Sequence, residues 1–136
     1  MRIAKGASIE NSMISDGCVI EKGAVVRESV LSPGIIVHSG AQVEQSILLT
    51  DTVIQPDSRL CRVITDKRVR IGAQARIGAQ DREAGLVVIG KNSLVPEGTV
   101  IEPGATVATD VIATDYPAAL IRAGEIVQTK RQPYEI

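Results

Sequence analysis

Few side chains of this chain could do chemistry by themselves. His38 is the only histidine, and it follows Val37, an apolar position of a repeating pattern, so alternation along a strand points the imidazole outwards. We expect a solvated surface histidine. A protein zinc site usually takes three ligands from His, Cys and carboxylates, which His38, Cys18 and Cys61 do not supply at their spacing. Cys18 and Cys61 are also too far apart along the repeat for a disulfide, so we predict two free thiols, no metal site and no catalytic residue.

A basic cluster is the stronger candidate for binding. It comprises Arg59, Arg62, Lys67, Arg68, Arg70 and Arg76. Such a cluster could hold a phosphate, because guanidinium and ammonium groups donate charge-assisted hydrogen bonds to oxyanions. The alternative is that Asp57, Asp66 and the acidic residues of the segment 81–83 neutralise it, or that it is only a solvated face. Both interpretations remain open at this point.

The elements that position these residues come from a repeat of 17 residues. Two apolar columns recur at this interval, namely Ile9, Val26, Val43, Leu60 and Ile77, and Ile3, Ile20, Val37, Ile54 and Ile71. A fixed period indicates a solenoid whose units close a core only by stacking. Because β-branched residues dominate and no 3.6-residue period is present, each side of a coil is predicted to be a short strand. A further apolar pair in each repeat predicts three sides, and the turn residues predict two of the corners, at Gly6, Gly23 and Gly40 and at Gly17, Gly34 and Asp51.

The repeat is interrupted by a polar stretch at 79–85. If the count of six continued from Ile77, Glu83 would face the core, and an unpaired buried carboxylate is costly. Apolar residues return at intervals of six at Ile89, Val95 and Ile101. We therefore predict an all-β parallel solenoid over residues 1–112 with a loop insertion at 79–85, followed by a C-terminal strand and capping tail over 113–136.

Composition and charge exclude several classes of partner. The formal net charge is −1 and the chain has no Phe or Trp, so neither a basic footprint nor stacking aromatics predict nucleic-acid binding. No apolar run approaches the roughly 18 residues that span a bilayer, and the first residues lack the apolar stretch of a signal peptide. A cytoplasmic protein without membrane contact is the expectation.

Four segments resemble a known family. The hexapeptide spacing of residues 89–107 resembles that of left-handed parallel β-helices, and this resemblance alone implies the hand. Four motifs are more specific, namely NSMISDGC (11–18), SVLSPG (29–34), DKRVRIG (66–72) and LVVIGKNSLVP (86–96). With these motifs the chain resembles, from about Ile3 to Val107, the C-terminal domain of bacterial glucose-1-phosphate adenylyltransferases.

The resemblance implies a division of labour. In that family an N-terminal α/β domain, for which Mg²⁺ is expected, joins ATP and glucose 1-phosphate to ADP-glucose and releases pyrophosphate, in glycogen and starch synthesis. The β-helix packs against it, builds the tetramer and helps to bind a phosphorylated effector. No Gly-rich nucleotide loop of that half appears here, and Ile3 is already in phase with the repeat. We therefore expect a regulatory and oligomerisation domain of a nucleotidyltransferase, non-catalytic by itself and without a cofactor.

The resemblance also implies site residues. Lys91 resembles the position of a lysine that contacts a phosphorylated activator, and the pair Asp66 and Lys67 matches a motif beside the effector cleft, with Arg68 and Arg70 next to it. Two other functions stay open. One is a hexapeptide acyltransferase with His38 as general base, although those enzymes largely keep 18 residues per coil. The other is a stand-alone scaffold that assembles with a separate catalytic subunit.

Overall fold

The computed structural model describes all residues from 1 to 136, and the chain winds as a three-sided parallel β-solenoid of about seven turns. The first sheet contains Arg2–Ile3, Val19–Ile20, Ile36–Val37, Val53–Ile54, Arg70–Ile71 and Leu94–Val95. The second contains Ser8–Glu10, Val25–Arg27, Gln42–Glu44, Arg59–Cys61, Arg76–Gly78, Val100–Ile101 and Leu120–Ile121. The third contains Met13–Ile14, Val30–Leu31, Ile47–Leu48, Val63–Thr65, Val87–Ile89, Thr106–Val107 and Ile126–Val127. Two short 3₁₀ helices, Ala113–Asp115 and Pro133–Glu135, complete the chain.

The predicted columns form the core. Ile3 pairs with Ile20, Ile20 with Val37 and Val37 with Ile54, one strand above the other at the interval of 17 residues. From the second coil onwards the inward side chains are almost completely buried, and 26 apolar residues form one cluster. The core is filled by Ile, Val, Leu and Ala because a prism three short strands wide has little room for larger side chains.

Each corner of a coil contains a residue in the left-handed conformation. Gly23 and Gly40 have φ of 77° and 74°, as the sequence predicted, and Asp51 has φ of 62° at the second predicted corner. The third corner was not predicted, because it contains no glycine in the first four coils and is marked there by side chains that rarely signal a turn. In those coils its left-handed residues are Asn11, Glu28, Gln45 and Arg62, with φ between 48° and 59°.

The interruption is a loop, as predicted. Ile64 pairs with Val88 and Ile77 with Ile101, so partners on either side of it lie 24 positions apart instead of 17. The loop therefore adds seven residues, and Glu83 within it is exposed. It turns back across the second sheet, where the Gln80 side-chain amide donates a hydrogen bond of 3.1 Å to Glu44 Oε2.

The coil changes length after the loop. Ile89 pairs with Val107, 18 positions further on, and Ile101 pairs with Ile121, 20 positions further on. The stretch predicted as a strand and capping tail thus supplies two strands that extend the second and third sheets. One inward position is polar, because Thr65 lies between Leu48 and Ile89 in the core column. None of the helices here has the length and apolar character needed to cross a membrane.

Candidate anion-binding site

The sequence-predicted site residues meet at one corner, between the third and the first sheet. We call the set Asp66, Lys67, Arg68, Arg70 and Lys91 the basic corner. Lys91 lies directly above Lys67, because the strands that follow them pair in register and the Asn92 N–H donates to Lys67 O at 3.0 Å. The loop decides this contact, since an uninterrupted 17-residue register would place Ala84 there.

Asp66 acts as a turn residue within the basic corner. Its Oδ1 accepts the Lys67 N–H at 2.7 Å, and its own N–H donates to Ile89 O at 2.9 Å. Beneath it, the hydroxyl of the fully buried Thr52 donates to Asp66 O at 3.1 Å. The carboxylate is therefore engaged by the backbone, and it fixes the direction in which Lys67 leaves the corner.

Arg68 is held by a chain of polar contacts. Its backbone has φ of 58°, and its Nε donates to Asn92 Oδ1 at 2.8 Å. The Asn92 amide in turn donates to Asp110 Oδ1 at 3.1 Å. This arrangement orients the Arg68 guanidinium, whose remaining N–H groups make no hydrogen bond within the protein.

A concavity of about 420 Å³ lies beside the basic corner. Arg68 and Arg70 line it, together with Asp51, Val53, Asn92, Ser93 and Leu94. Lys67 and Lys91 are one residue outside this lining, and both are exposed. The structure thus brings two arginines and two lysines to the edge of one shallow depression.

The cations of the basic corner have no carboxylate partner. The ion pairs of the molecule join Arg27 to Glu10 and Glu44, and His38 to Glu21, so none involves a member of the cluster from Arg59 to Arg76. Direct neutralisation by Asp57, Asp66 or the loop, which the sequence left open, is not observed. Lys67 and Lys91 are therefore like charges on adjacent coils, an arrangement that an anion would stabilise.

Gly90 allows this corner to pack. A Cβ at this position would lie 2.6 Å from both Ala108 C and Thr109 N of the next coil. Backbone atoms cannot move aside as a flexible side chain can, so a side chain here would push the next coil away and displace Lys91 with it.

His38 is less solvated than expected. It does point outwards, but its ring is only 29% exposed and its Nδ1 lies 2.8 Å from Glu21 Oε1. The hydrogen bond from His38 lowers the pKa of Glu21 below its ordinary value, against the opposing effect of burial. The pair places a carboxylate behind an imidazole, which is the arrangement that orients a general base.

Both cysteines are free, as predicted, and Cys18 is buried. The Cys18 thiol donates to Ser32 O at 3.3 Å. Burial, with the nearby Glu44 carboxylate, raises the pKa of the half-buried Cys61 thiol, so it is a weak nucleophile. No three His, Cys, Asp or Glu side chains are grouped in a way that could hold a metal ion.

The fold defines a class of protein. It is similar to a hexapeptide transferase family protein from Anaplasma phagocytophilum, with a TM-score of 0.65 and 17% identity over 90% of this chain and 70% of that one. A putative acetyltransferase from Desulfovibrio desulfuricans G20 gives a TM-score of 0.57 and 16% identity over 91% of this chain and 25% of that one. At such identities the likeness concerns the fold alone, which is the left-handed parallel β-helix of hexapeptide-repeat proteins.

The sequence places the chain within that class. Residues 2–86 match the family model described as GlmU-like, C-terminal hexapeptide, so the chain belongs to this family. It is also 42% identical, over 137 aligned positions, to the glucose-1-phosphate adenylyltransferase of Thermomicrobium roseum. The alignment covers 93% of this chain but 32% of the relative, so the chain spans about a third of that protein and corresponds to its C-terminal region. The resemblance that the sequence motifs indicated is confirmed.

Proposed function

We propose that this chain is the regulatory and assembly region of a cytoplasmic glucose-1-phosphate adenylyltransferase, the enzyme that converts ATP and glucose 1-phosphate to ADP-glucose and pyrophosphate. The identity of 42% to a relative with that name supports the proposal, as does the fold. In this role the segment carries no catalysis and holds no cofactor. Its partners are an N-terminal catalytic domain with Mg²⁺ and further copies of the same subunit in a tetramer.

In this proposal the basic corner binds the phosphorylated effector. The observation that carries it is the stacking of Lys67 and Lys91, which lie on adjacent coils without a carboxylate partner. Two ammonium groups can neutralise one phosphate, while the guanidinium forks of Arg68 and Arg70 match the oxygens of a second phosphate in the neighbouring depression. A sugar bisphosphate is the kind of ligand that these two subsites fit.

Calorimetric titration of fructose 1,6-bisphosphate, and of sulfate for comparison, into the 136-residue chain tests this site. We expect saturable binding that weakens roughly tenfold or more in Lys91→Ala, Lys67→Ala and Arg70→Ala, since each removes a charge-assisted hydrogen bond. Lys5→Ala, which removes an exposed lysine far from the corner, is the matched control. In a complete enzyme that contains this segment, the same variants should raise the activation constant and leave the unactivated turnover number unchanged.

Three results would argue against the effector site. The first is an affinity that is the same in Lys91→Ala and in the unsubstituted chain. The second is a loss in Lys5→Ala as large as that in Lys91→Ala, which would mean that binding depends on overall charge. The third is a complete enzyme whose activation constant is unchanged by the substitutions at Lys91, Lys67 and Arg70.

A hexapeptide acyltransferase remains the second candidate function, and the contact between Glu21 and His38 is the observation that favours it. A carboxylate bound to Nδ1 leaves Nε2 free to accept a proton. An acetyl-transfer assay with acetyl coenzyme A and an amine acceptor discriminates the two functions. Turnover that His38→Ala abolishes would support acyl transfer, whereas equal rates with and without the imidazole would exclude it.

A further inference from the structure

The outer face of the second sheet carries two parallel columns of charged side chains. In the column near the third corner, Glu10, Arg27 and Glu44 follow one another on adjacent strands. Their signs alternate, and Arg27 lies 3.8 Å from Glu10 Oε2 and 3.7 Å from Glu44 Oε1. This column is neutralised by its own members.

The neighbouring column has the opposite character. Arg59 pairs directly with Arg76 on the next strand, and Gln42 precedes them. Strands in a sheet lie about 4.8 Å apart, so the two arginine side chains project from adjacent positions on one face of the sheet. Both side chains are exposed, and neither makes an ion pair or a side-chain hydrogen bond within the protein. Like charges placed directly opposite each other destabilise a sheet.

These two arginines line a wide polar depression. Its volume is about 600 Å³, and none of its lining residues is hydrophobic. Gln42 and Gln74 supply amide groups beside the arginines, and Asp57 is the acidic member of the lining. The Asp57 carboxylate lies against Gly40, one coil below, and pairs with neither arginine. At the other side, a Cβ on Gly98 would meet no atom within 4 Å, so the depression stays open there.

We infer that Arg59 and Arg76 bind the phosphoryl group of a small phosphorylated molecule, whose remaining polar groups contact the amides of Gln42 and Gln74. Two guanidinium forks on adjacent strands can hold one tetrahedral oxyanion between them, and its negative charge removes their mutual repulsion. On the same sheet, Arg27 is neutralised by Glu10 and Glu44, whereas Arg59 and Arg76 have no carboxylate partner.

The site is separate from the basic corner. Arg70 belongs to the first sheet, whereas Arg76 belongs to the second, and the corner that contains Gln74 lies between them. The two depressions share no lining residue. The inference therefore does not depend on the proposed effector site, and either can fail without the other.

Titration of the 136-residue chain with inorganic phosphate at low ionic strength, followed by NMR of the arginine Nε–H groups, tests the inference. We expect saturable shifts at Arg59 and Arg76. Arg76→Gln should weaken the affinity roughly tenfold or more, because it removes a charge-assisted donor. Arg59→Gln is a second variant with the same expected loss, and both positions are exposed, so neither change disturbs the core. Arg27→Gln, on the same sheet, is the matched control and should leave the affinity unchanged.

Lys91→Ala separates this site from the basic corner, because it should leave the shifts at Arg59 and Arg76 unaltered. Three outcomes would overturn the inference. They are shifts at Arg59 and Arg76 that never saturate and equal those at Arg27, an affinity that Arg59→Gln and Arg76→Gln do not change, and loss of the shifts in Lys91→Ala.

Discussion

Among the charged residues of this molecule, only Asp115 is buried, with 5% of its surface exposed. Burial alone would raise the pKa of this carboxyl group. The N–H groups of Ile112 and Lys130, at 2.9 and 3.0 Å, together with the Thr129 hydroxyl and Arg131, outweigh that effect and lower the pKa below its ordinary value. Asp115 thereby ties the segment around Lys130 back onto the last coils.

This contact makes a prediction about pH. Because the pKa of Asp115 is lower in the folded than in the unfolded chain, its stabilisation is present above the ordinary carboxyl pKa of 3.8 and is lost as the pH falls through the lower folded value. Asp115→Asn should therefore lower the free energy of unfolding at pH 7, and by progressively less as the pH falls below 3.8. Urea unfolding at pH 7 and at the lowest pH at which the chain remains folded measures this.

Glu97→Gln is the control for Asp115→Asn, because this exposed carboxylate makes no hydrogen bond. It should leave the free energy of unfolding unchanged at pH 7. Equal destabilisation by Asp115→Asn at both pH values would mean that the side chain acts through its shape and not through its charge.

At the scale of elements, a ladder of serines supports the third corner. Ser12 Oγ accepts the N–H of Ser29, Ser29 Oγ accepts that of Ser46, and Ser46 Oγ accepts that of Val63, each at 3.1 Å. Each hydroxyl also donates at 2.8 Å to the carbonyl two residues before it. Each of the first three coils thus satisfies a backbone N–H of the next, which explains how this corner keeps its left-handed residues in the coils where it has no glycine.

The ladder predicts the effect of removing one hydroxyl. Ser46→Ala leaves the buried N–H of Val63 without an acceptor and the Glu44 carbonyl without this donor, which should lower the free energy of unfolding by about 1–3 kcal/mol. Chemical denaturation gives the value. Ser12→Ala is the matched change at the exposed end of the ladder and should cost less. If the two variants were equally stable, the ladder would contribute nothing beyond local turn contacts.

At the scale of the whole molecule, the core of the first coil is less buried than that of the coils after it. Ile20 and Val37 are completely buried, whereas Ile3, the first member of the same column, is 48% exposed. Ile9 and Ile14 of the same coil are only partly buried. The first coil therefore presents apolar surface and unpaired strand edges to solvent, which is the kind of surface on which another chain or domain packs.

We therefore predict that the isolated chain self-associates through its first coil. Light scattering coupled to size-exclusion chromatography should give a mass that rises with concentration above the 14.4 kDa of one chain. Ile3→Lys should reduce this association, because it places a charge at the open end. Ile47→Lys, on the exposed face of the third sheet, is the control and should not. A constant monomeric mass at high concentration would contradict the prediction.

The sequence by itself determined the solenoid, its three sides and the place of the loop. Each coil must stack its apolar side chains on those of the next, so the period and the alternation along each strand are visible in the order of residues. Ile20, Val37 and Ile54 were assigned to the core for this reason. The sequence and its motifs likewise identified Lys67 and Lys91 as candidate phosphate-binding residues.

Only the tertiary structure decided which of these residues meet. Lys91 lies over Lys67 because the seven extra residues leave the coil and return in phase, and no local pattern states how a loop returns. The sequence likewise could not show that Arg59 and Arg76 have no carboxylate partner, since this depends on the directions of the nearby carboxylate side chains. Periodic contacts repeat in the sequence, whereas contacts across a corner or a loop depend on the path of the chain in space.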